Sequence, residues 1–515
     1  MDEARTQSLE LQAIIVSDDE GDKLSVLTED SPKSLLPIAN YPMIHLPLTY
    51  LEHNGLKDVI IVLNKKNSVK INAYLKDGYK GKLSINAVTL EEGEDTADAI
   101  RYVHKYIKSD FIVMSDDLVI DVPLVKLLNI HRSHNSSATM VINHKSKEEG
   151  EEKDKNVALD YVGLVNYSPT ALERPDSFKN PSRVVYFSPS SQLKKSVTVG
   201  RSFMRKWGNV MLSKSFADSH LYVFSRWVSD LIQSRNDFVS LKNHVIPFLV
   251  DSQRYVKDKL QRHLQDNNFK TLTEFLESEQ EQSGNQEYEV FPGISAKSIA
   301  RTQQPALDMS SSSYSLLDLV RIYAHVVSAS SKTSSTKNTS EPTPSPALIK
   351  RANTLNNYMD LNRELSKKGE YKLYESMHDQ SITNAPTPTA DSSTDKSEDH
   401  NTPTSEEVQI GSDCIVGKGL QYTGTAATQQ GSRRVSSTLK KCNLGHNVKI
   451  GSNVKIANSV VMNNVIIGDN CTIQNSIVCC DVDIKPSANL NNCQVASGCV
   501  VEGRDYKAEA LSNKH

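Results

Sequence analysis

The chain has 515 residues, a hydrophobic content of 38% and a formal charge of −3. That charge excludes a general nucleic-acid binder, which carries a marked basic excess. No apolar run approaches the ~18 residues of a membrane span, and Met1-Asp2-Glu3-Ala4-Arg5 lacks the basic start and apolar core of a secretory signal. The expectation is a soluble cytosolic protein of about two to four domains, with part of the chain outside any packed core.

The first element is Ala13-Ile14-Ile15-Val16, an apolar run with the character of a buried parallel strand. The loop Ser17-Asp18-Asp19-Glu20-Gly21 follows, with three carboxylates and one glycine. Like charges ~4 Å apart repel by roughly 1 to 4 kcal/mol at surface-like dielectric, and Lys33 alone does not offset several such terms. Ile44, Leu48 and Leu51 then share a helix face, and Gly55 sits where a C-terminal cap belongs. Val59 to Leu63 reads as the second strand. Asp95-Thr96 is placed to cap a helix through Ile100, Val103 and Ile107. Phe111 to Met114 is the next strand, and Asp121 is read as the cap of a further helix with Pro123 in its first turn. Ala138 to Ile142 is a strand, Lys145 to Asn156 a charged hairpin tip. Ser219 to Phe224, and a helix ending near Leu249, close the domain. Strands separated by helices predict a mostly parallel α/β sheet, Rossmann-like, over residues 10–252. His131 and His134 share a helix face and are expected at the surface. Asp218-Ser219-His220 is not read as a catalytic triad, because adjacent residues on a strand alternate faces.

Residues 253–405 are expected to be a low-complexity linker. Glu274 to Glu289, Ser310 to Ser313, Ser328 to Ser345 and Asn384 to Ser405 bury too little to offset ordering entropy. Two islands interrupt them, Tyr314 to Val327 with helical or strand spacing and Leu348 to Tyr374 with helical spacing.

Over residues 406–505 an aliphatic residue recurs every six positions, often before glycine: Ile410, Val416, Leu444, Ile450, Ile456, Ile467, Ile473, Ile484 and Leu490. A second apolar column runs Val448, Val454, Val460, Cys471, Ile477, Val482 and Ala488, extended by Cys493 and Cys499. This is the hexapeptide pattern of a left-handed parallel β-helix, in which three six-residue faces close one coil. Asn447, Asn453, Asn464 and Asn470 suit the corners. Residues 421–439 are expected to be a loop extruded at a corner. Its Arg433-Arg434-Val435-Ser436 offers a weak match to a basic-directed kinase site. All seven cysteines fall at or after Cys414 without Cys-x-x-Cys spacing. They are therefore read as buried thiols rather than metal ligands, and no metal is expected.

Pro32-Lys33-Ser34-Leu35-Leu36-Pro37-Ile38, after the first strand, resembles the nucleotidyltransferase family. There the strand leads into a Gly-x-Gly-(Thr/Ser)-Arg loop and a Pro-Lys-Pro segment. The departures, an acidic loop and Ser34, put phosphate chemistry in doubt. The combination with a hexapeptide helix is similar to several families, among them the sugar-nucleotide pyrophosphorylases and the gamma and epsilon subunits of eukaryotic translation initiation factor 2B. Asp95-Thr96-Ala97-Asp98-Ala99-Ile100-Arg101, Ser115 to Val122, Ser219-His220-Leu221-Tyr222, Val245-Ile246-Pro247 and Asn463 to Cys479 fit the gamma type. In active relatives a lysine like Lys33 contacts phosphate, and an aspartate like Asp117 helps hold Mg²⁺. Active enzymes usually have glycine where Asp95 stands. The resemblance thus implies a vestigial nucleotide pocket at Lys33, Thr96, Asp98 and Asp117, with no catalytic residues and no cofactor. It also implies a non-catalytic partner of the epsilon subunit and of the alpha, beta and delta regulatory subunits, helping to bind initiation factor 2 for GDP-to-GTP exchange. The epsilon type carries a further helical-repeat domain, which is not expected here because the chain stops at His515, a dozen residues past the last coil. The alternative is a Mg²⁺-dependent sugar-1-phosphate guanylyltransferase of the GDP-mannose type. An acyltransferase using the β-helix is weaker, since His446 is the one histidine inside the repeats.

Overall fold

The computed structural model of the chain describes residues 11–17, 24–91, 93–144, 159–165, 181–192, 201–207, 209–266, 289–296, 298–299, 319–328, 348–366, 408–410, 414–416, 420–422 and 437–512. The acidic loop from Asp18 on, the 145–156 tip, the Ser-rich tracts from 329 to 345 and from 384 to 405, and Arg433 to Ser436 lie outside the described residues. The chain divides into two compact units. One comprises residues 1–18 and 50–349, the other residues 19–49 and 350–515.

In the N-terminal unit, strand β1 (Gln12–Val16) is followed across the unit boundary by α1 (His45–His53). Gly55, with φ of 81°, ends that helix, and the Leu56 N–H returns to the Leu51 carbonyl at 3.2 Å. Next come β2 (Asp58–Asn64), α2 (Lys65–Ala73), β3 (Ser84–Leu90), α3 (Thr96–Val103), β4 (Phe111–Ser115), α4 (Leu124–Ser133) and β5 (Ala138–His144). Asp95 caps α3 as expected, through a reciprocal pair with Asp98. Asp121 does not cap α4. The N-cap is Pro123, which offers no side-chain bond, and the orphan Leu124 N–H is met by Asn54 Oδ1 at 3.0 Å. Sequence-local reasoning misses a cap supplied from 70 residues away.

The remaining elements are β6 (Asp160–Val165), β7 (Ser182–Ser188), β8 (Val210–Phe224), α5 (Arg226–Ser234), α6 (Ile246–Asp266) and β9 (Ile322–Ser328). The nine strands order as β3-β2-β1-β4-β8-β5-β9-β7-β6. β3, β2, β1 and β4 are parallel, whereas β8 runs antiparallel to β4, β5 and β6. The boundary drawn at 252 is therefore too early. β9 pairs in parallel with β5 in the interior of the sheet, and α6 runs on to Asp266. The sheet supplies one core with Ile14, Val62, Val113, Ile142, Phe224 and Trp227, and Trp227 stacks on Phe291 at 5.9 Å. His131 and His134 are buried rather than exposed, because α4 packs against β5 and β9. His131 Nδ1 meets Thr139 Oγ1 at 3.0 Å and His134 lies 4.8 Å from the Tyr323 ring.

Burial, and secondarily the charge of Lys126, push His325 on β9 down to about 4. A depressed histidine is neutral in the fold and binds a proton on unfolding. Its contribution is therefore present above the unfolded value of ~6.5 and is lost as pH falls toward 4. Lowering pH from 7.5 to 5 is expected to remove about 2 kcal/mol from the N-terminal unit through this group. His134 and His144, also lowered by burial, act in the same direction. Urea titrations at the two pH values check this, with His325→Phe expected to flatten the dependence.

The C-terminal unit is a three-sheet parallel, left-handed β-helix. Its sheets run through strands 408–410, 437–440, 455–457, 472–474, 489–491 and 505–507, and through two companion stacks. Most of the described corners bear a residue with positive φ, mostly asparagine: Asn447 57°, Asn453 54°, Asn464 59° and Asn470 57°, as expected, together with Asn458, Asn475, Asp481, Ser487 and Asn492. Asn tolerates this left-handed region better than other side chains. The corner amides also stack, Asn447 Nδ2 donating to Asn464 Oδ1 at 3.3 Å and Asn464 Nδ2 to Asp481 Oδ1 at 3.0 Å.

The coil is not three hexapeptides. From residue 438 to residue 501 stacked residues are 17 apart, so one face has five residues. The shorter face shifts the second column: its interior positions are Ser459 and Ser476, not Val460 and Ile477. The two hydroxyls accept from Ser476 N at 3.2 Å and Cys493 N at 3.0 Å, satisfying backbone donors inside the prism. The insertion is also shorter than 421–439, since Gln421–Tyr422 and Ser437–Lys440 are strands. Glycines before a corner admit close coil stacking: a Cβ on Gly468 would lie 2.6 Å from the Pro486 nitrogen. Gly468→Ala is expected to cost about 1–3 kcal/mol, measured as a lower denaturation midpoint of this unit.

Residues 24–44 and 355–365 belong to this unit. Helix α7 (Leu355–Leu365) is capped by Thr354. The hairpin Pro37–Ile38/Tyr41–Pro42 turns on Ala39 and Asn40, both at positive φ. Asn362 accepts from Ala39 N at 3.0 Å and from Asn443 Nδ2 at 2.8 Å, and Asn40 Nδ2 donates to the Leu444 carbonyl at 2.8 Å.

Candidate functional site

Open α/β sheets bind ligands beyond the carboxyl ends of their parallel strands. In the N-terminal unit Ser17 follows the end of β1, and β4 ends at Ser115 with Asp116 and Asp117 just beyond it. Asp116 and Asp117 are fully buried. Ser17 Oγ donates to Asp116 Oδ2 at 2.8 Å, and Ser115 Oγ to Asp117 Oδ1 at 2.7 Å. A small pocket of about 20 Å³, room for about one water, is lined by Thr96, Ser115, His220, Tyr222 and Lys242 with apolar Val16, Val113, Met114 and Leu241.

Of the four residues singled out from sequence, Thr96 lines this pocket. Its hydroxyl accepts from Leu241 N at 2.9 Å, tying the start of α3 to the 239–241 turn together with Ala97 N to Val239 O at 2.8 Å. Asp98 accepts from Asp95 N at 3.2 Å and pairs with Arg101. Arg101 in turn donates to the Arg235 and Phe238 carbonyls, each at 2.8 Å. Asp117 sits at the end of β4 against Ser115. Lys33 belongs to the other unit, where it opens a short 3₁₀ turn (Lys33–Leu35) and is 9% exposed. Among the described residues no group of three or more His, Cys, Asp or Glu side chains is placed to hold a metal ion.

The sequence reading missed a second group beside the pocket. The side chains of Asp160 and Asp218 are wholly buried, and Lys242 bridges Asp160 at 3.0 Å. Tyr222 OH donates to Asp218 Oδ2, and His220 Nε2 lies 3.9 Å from the same atom. His220 has φ of 55°, at an irregularity in the β8–β5 pairing between Asp218 and Tyr222. Regular face alternation therefore does not hold here. Burial pushes the Asp218 carboxyl up, and neighbouring Asp160 adds to this, while Lys242, the Tyr222 hydroxyl and the His220 amide oppose it. No local motif marks the cluster, since Asp160 and Lys242 are distant in sequence.

A nucleotidyltransferase-type α/β domain combined with a hexapeptide β-helix is the class that fold and site define. Family models agree: "Nucleotidyl transferase" matches residues 12–152, and "GlmU-like, C-terminal hexapeptide" matches residues 423–492. Within that class the chain is similar to translation initiation factor eIF2B subunit gamma. The fission yeast Schizosaccharomyces pombe protein is 31% identical over 265 residues, 50% of this chain and 55% of the relative. That of Dictyostelium discoideum is 27% identical over 267 residues, 47% of this chain and 58% of the relative. The chain thus spans about half the length of these curated relatives. A mannose-1-phosphate guanyltransferase from Pichia angusta is 29% identical over 134 residues, 25% of this chain and 37% of the relative.

Proposed function

We propose that the chain is a gamma-type subunit of an eIF2B assembly, whose nucleotidyltransferase-type domain serves as a binding surface and not as an enzyme. The similarity to eIF2B gamma subunits over about half the chain carries this reading. It is supported by Thr96 and Asp98, which spend their polar atoms on backbone donors and Arg101; with Lys33 and Asp117 they are proposed to be remnants of a nucleotide pocket. The proposed partners are the epsilon subunit, the alpha, beta and delta subunits, and the GTPase eIF2, in the cytosol. An exchange factor works by binding the nucleotide-released GTPase more tightly than the GDP-bound form. A subunit that contacts both forms equally recruits and positions the substrate, and that is the role assigned to this chain.

Affinity purification of the tagged chain from its own cells, with mass spectrometry, tests the proposal. Co-elution of epsilon and the other eIF2B subunits with eIF2 is expected. A lone homo-oligomer that turns over GDP-mannose would overturn it. The same assay decides for the second reading, a GDP-mannose-type guanylyltransferase, which the similarity to the Pichia angusta enzyme favours.

A further inference from the structure

We propose that Cys414 and Cys442 are a modification site that takes up a disulfide from a small oxidised thiol such as oxidised glutathione, stapling the first described coil of the β-helix to the second. Strand 415–416 pairs in parallel with strand 443–444, Ile415 opposite Asn443 and Val416 opposite Leu444. The residues just before them, Cys414 and Cys442, therefore stack across a single strand spacing of ~4.8 Å. That lies inside the Cα separation a disulfide spans without backbone movement. Their sulfurs are 3.7 Å apart. The same column continues below as Ser459, Ser476 and Cys493, so no other two of the described cysteines occupy stacked positions in neighbouring coils.

The two thiols are unequal. Cys442 is buried and Cys414 is partly exposed. The hydrogen bond with Cys414, and burial, hold the Cys442 thiol well above its ordinary range. Cys414 is thus the attacking group: its thiolate displaces one thiolate from the glutathione disulfide and forms a mixed disulfide. Cys442 then gives up its proton and attacks the Cys414 sulfur, expelling the second glutathione thiolate. Two protein thiols are oxidised, one glutathione disulfide is reduced to two thiols, and the protons given up by Cys414 and Cys442 end on the two departing thiolates. In a reducing compartment the pair stays reduced until the thiol pool shifts. The two residues are 28 apart, against 17 between stacked positions in the coils from 438 to 501, so the bond closes the loop that carries the insertion. It also ties down strands that, among the described residues, stand at the end of their sheets.

The test uses the full chain, purified reduced, incubated with oxidised glutathione, blocked with N-ethylmaleimide and mapped by non-reducing peptide mass spectrometry. A peptide pair joined through Cys414 and Cys442, two hydrogens lighter and released by dithiothreitol, is expected, with a thermal midpoint that rises on oxidation. Cys442→Ser should leave one glutathione trapped on Cys414. Serine is compatible with that position, because the next two coils carry serine in the same column. Stable glutathione on Cys414 of the unsubstituted chain, both cysteines still open to N-ethylmaleimide, or a link from either to a different cysteine would each overturn the proposal.

Discussion

Lys242→Met is expected to destabilise the N-terminal unit by about 3–5 kcal/mol, the range for removing one partner of a buried ion pair. Asp160 is wholly buried, accepts from Ser190 N at 2.9 Å and meets the Lys242 ammonium at 3.0 Å. A second buried carboxylate, Asp218, shares the site. Methionine keeps much of the stem's volume and removes the charge, so the loss reports on electrostatics and not on a cavity. Two carboxylates then face one another with no lysine between them. The pH dependence follows from the sign of the Asp218 shift. Its folded-state value is raised, so its stabilising contribution is full below the unfolded carboxyl value and is lost as pH rises through the folded one. Without Lys242, which opposes that rise, the decline should extend to higher pH. Adding Asp160→Asn to Lys242→Met should recover more than half of the loss. Urea titrations of the two single variants and the double variant check this as a double-mutant cycle. Additive losses would mean that the pair does not interact.

Asn362→Ala is expected to remove about 2–5 kcal/mol from the C-terminal unit. Asn362 is 2% exposed, and one side chain serves two otherwise distant pieces of that unit. It accepts from Ala39 N of the hairpin and from Asn443 Nδ2 of the β-helix, and donates to the Tyr358 carbonyl at 3.0 Å. Truncation leaves two buried donors without this acceptor, each worth ~1–3 kcal/mol. Asn362→Asp keeps the acceptor but buries a charge, and Asn362→Gln has the chemistry with the wrong reach. Neither should restore the midpoint. A drop in the unfolding midpoint of the β-helix, accompanied by protease cleavage between residues 24 and 44, is the expected signature. Wild-type stability in Asn362→Ala would show that the hairpin is held by other contacts.

The chain alone determined what depends on neighbours in sequence. The Asp95 cap and the Gly55 stop follow from local sterics and orphan backbone groups, and the structure has both where the residues put them, although α3 ends at Val103 and not at the expected Ile107. The asparagine corners belong to the same class, because left-handed backbone is a property of single residues. Only the tertiary structure decided the rest. A 17-residue coil with one short face, and with it which cysteines and serines face inward, depends on how successive coils stack, and stacking is invisible to a count of six. The Asn54 bond to α4, the Asp160–Lys242 pair and the bonds from Ala39 and Asn443 to Asn362 join residues 70 or more apart. β9 is a seven-residue run inside a polar stretch, and only its pairing with β5 and β7 shows that it belongs to the sheet. Pairing across such separations is set by chain topology and by the need to satisfy every buried polar group, and no local pattern encodes it.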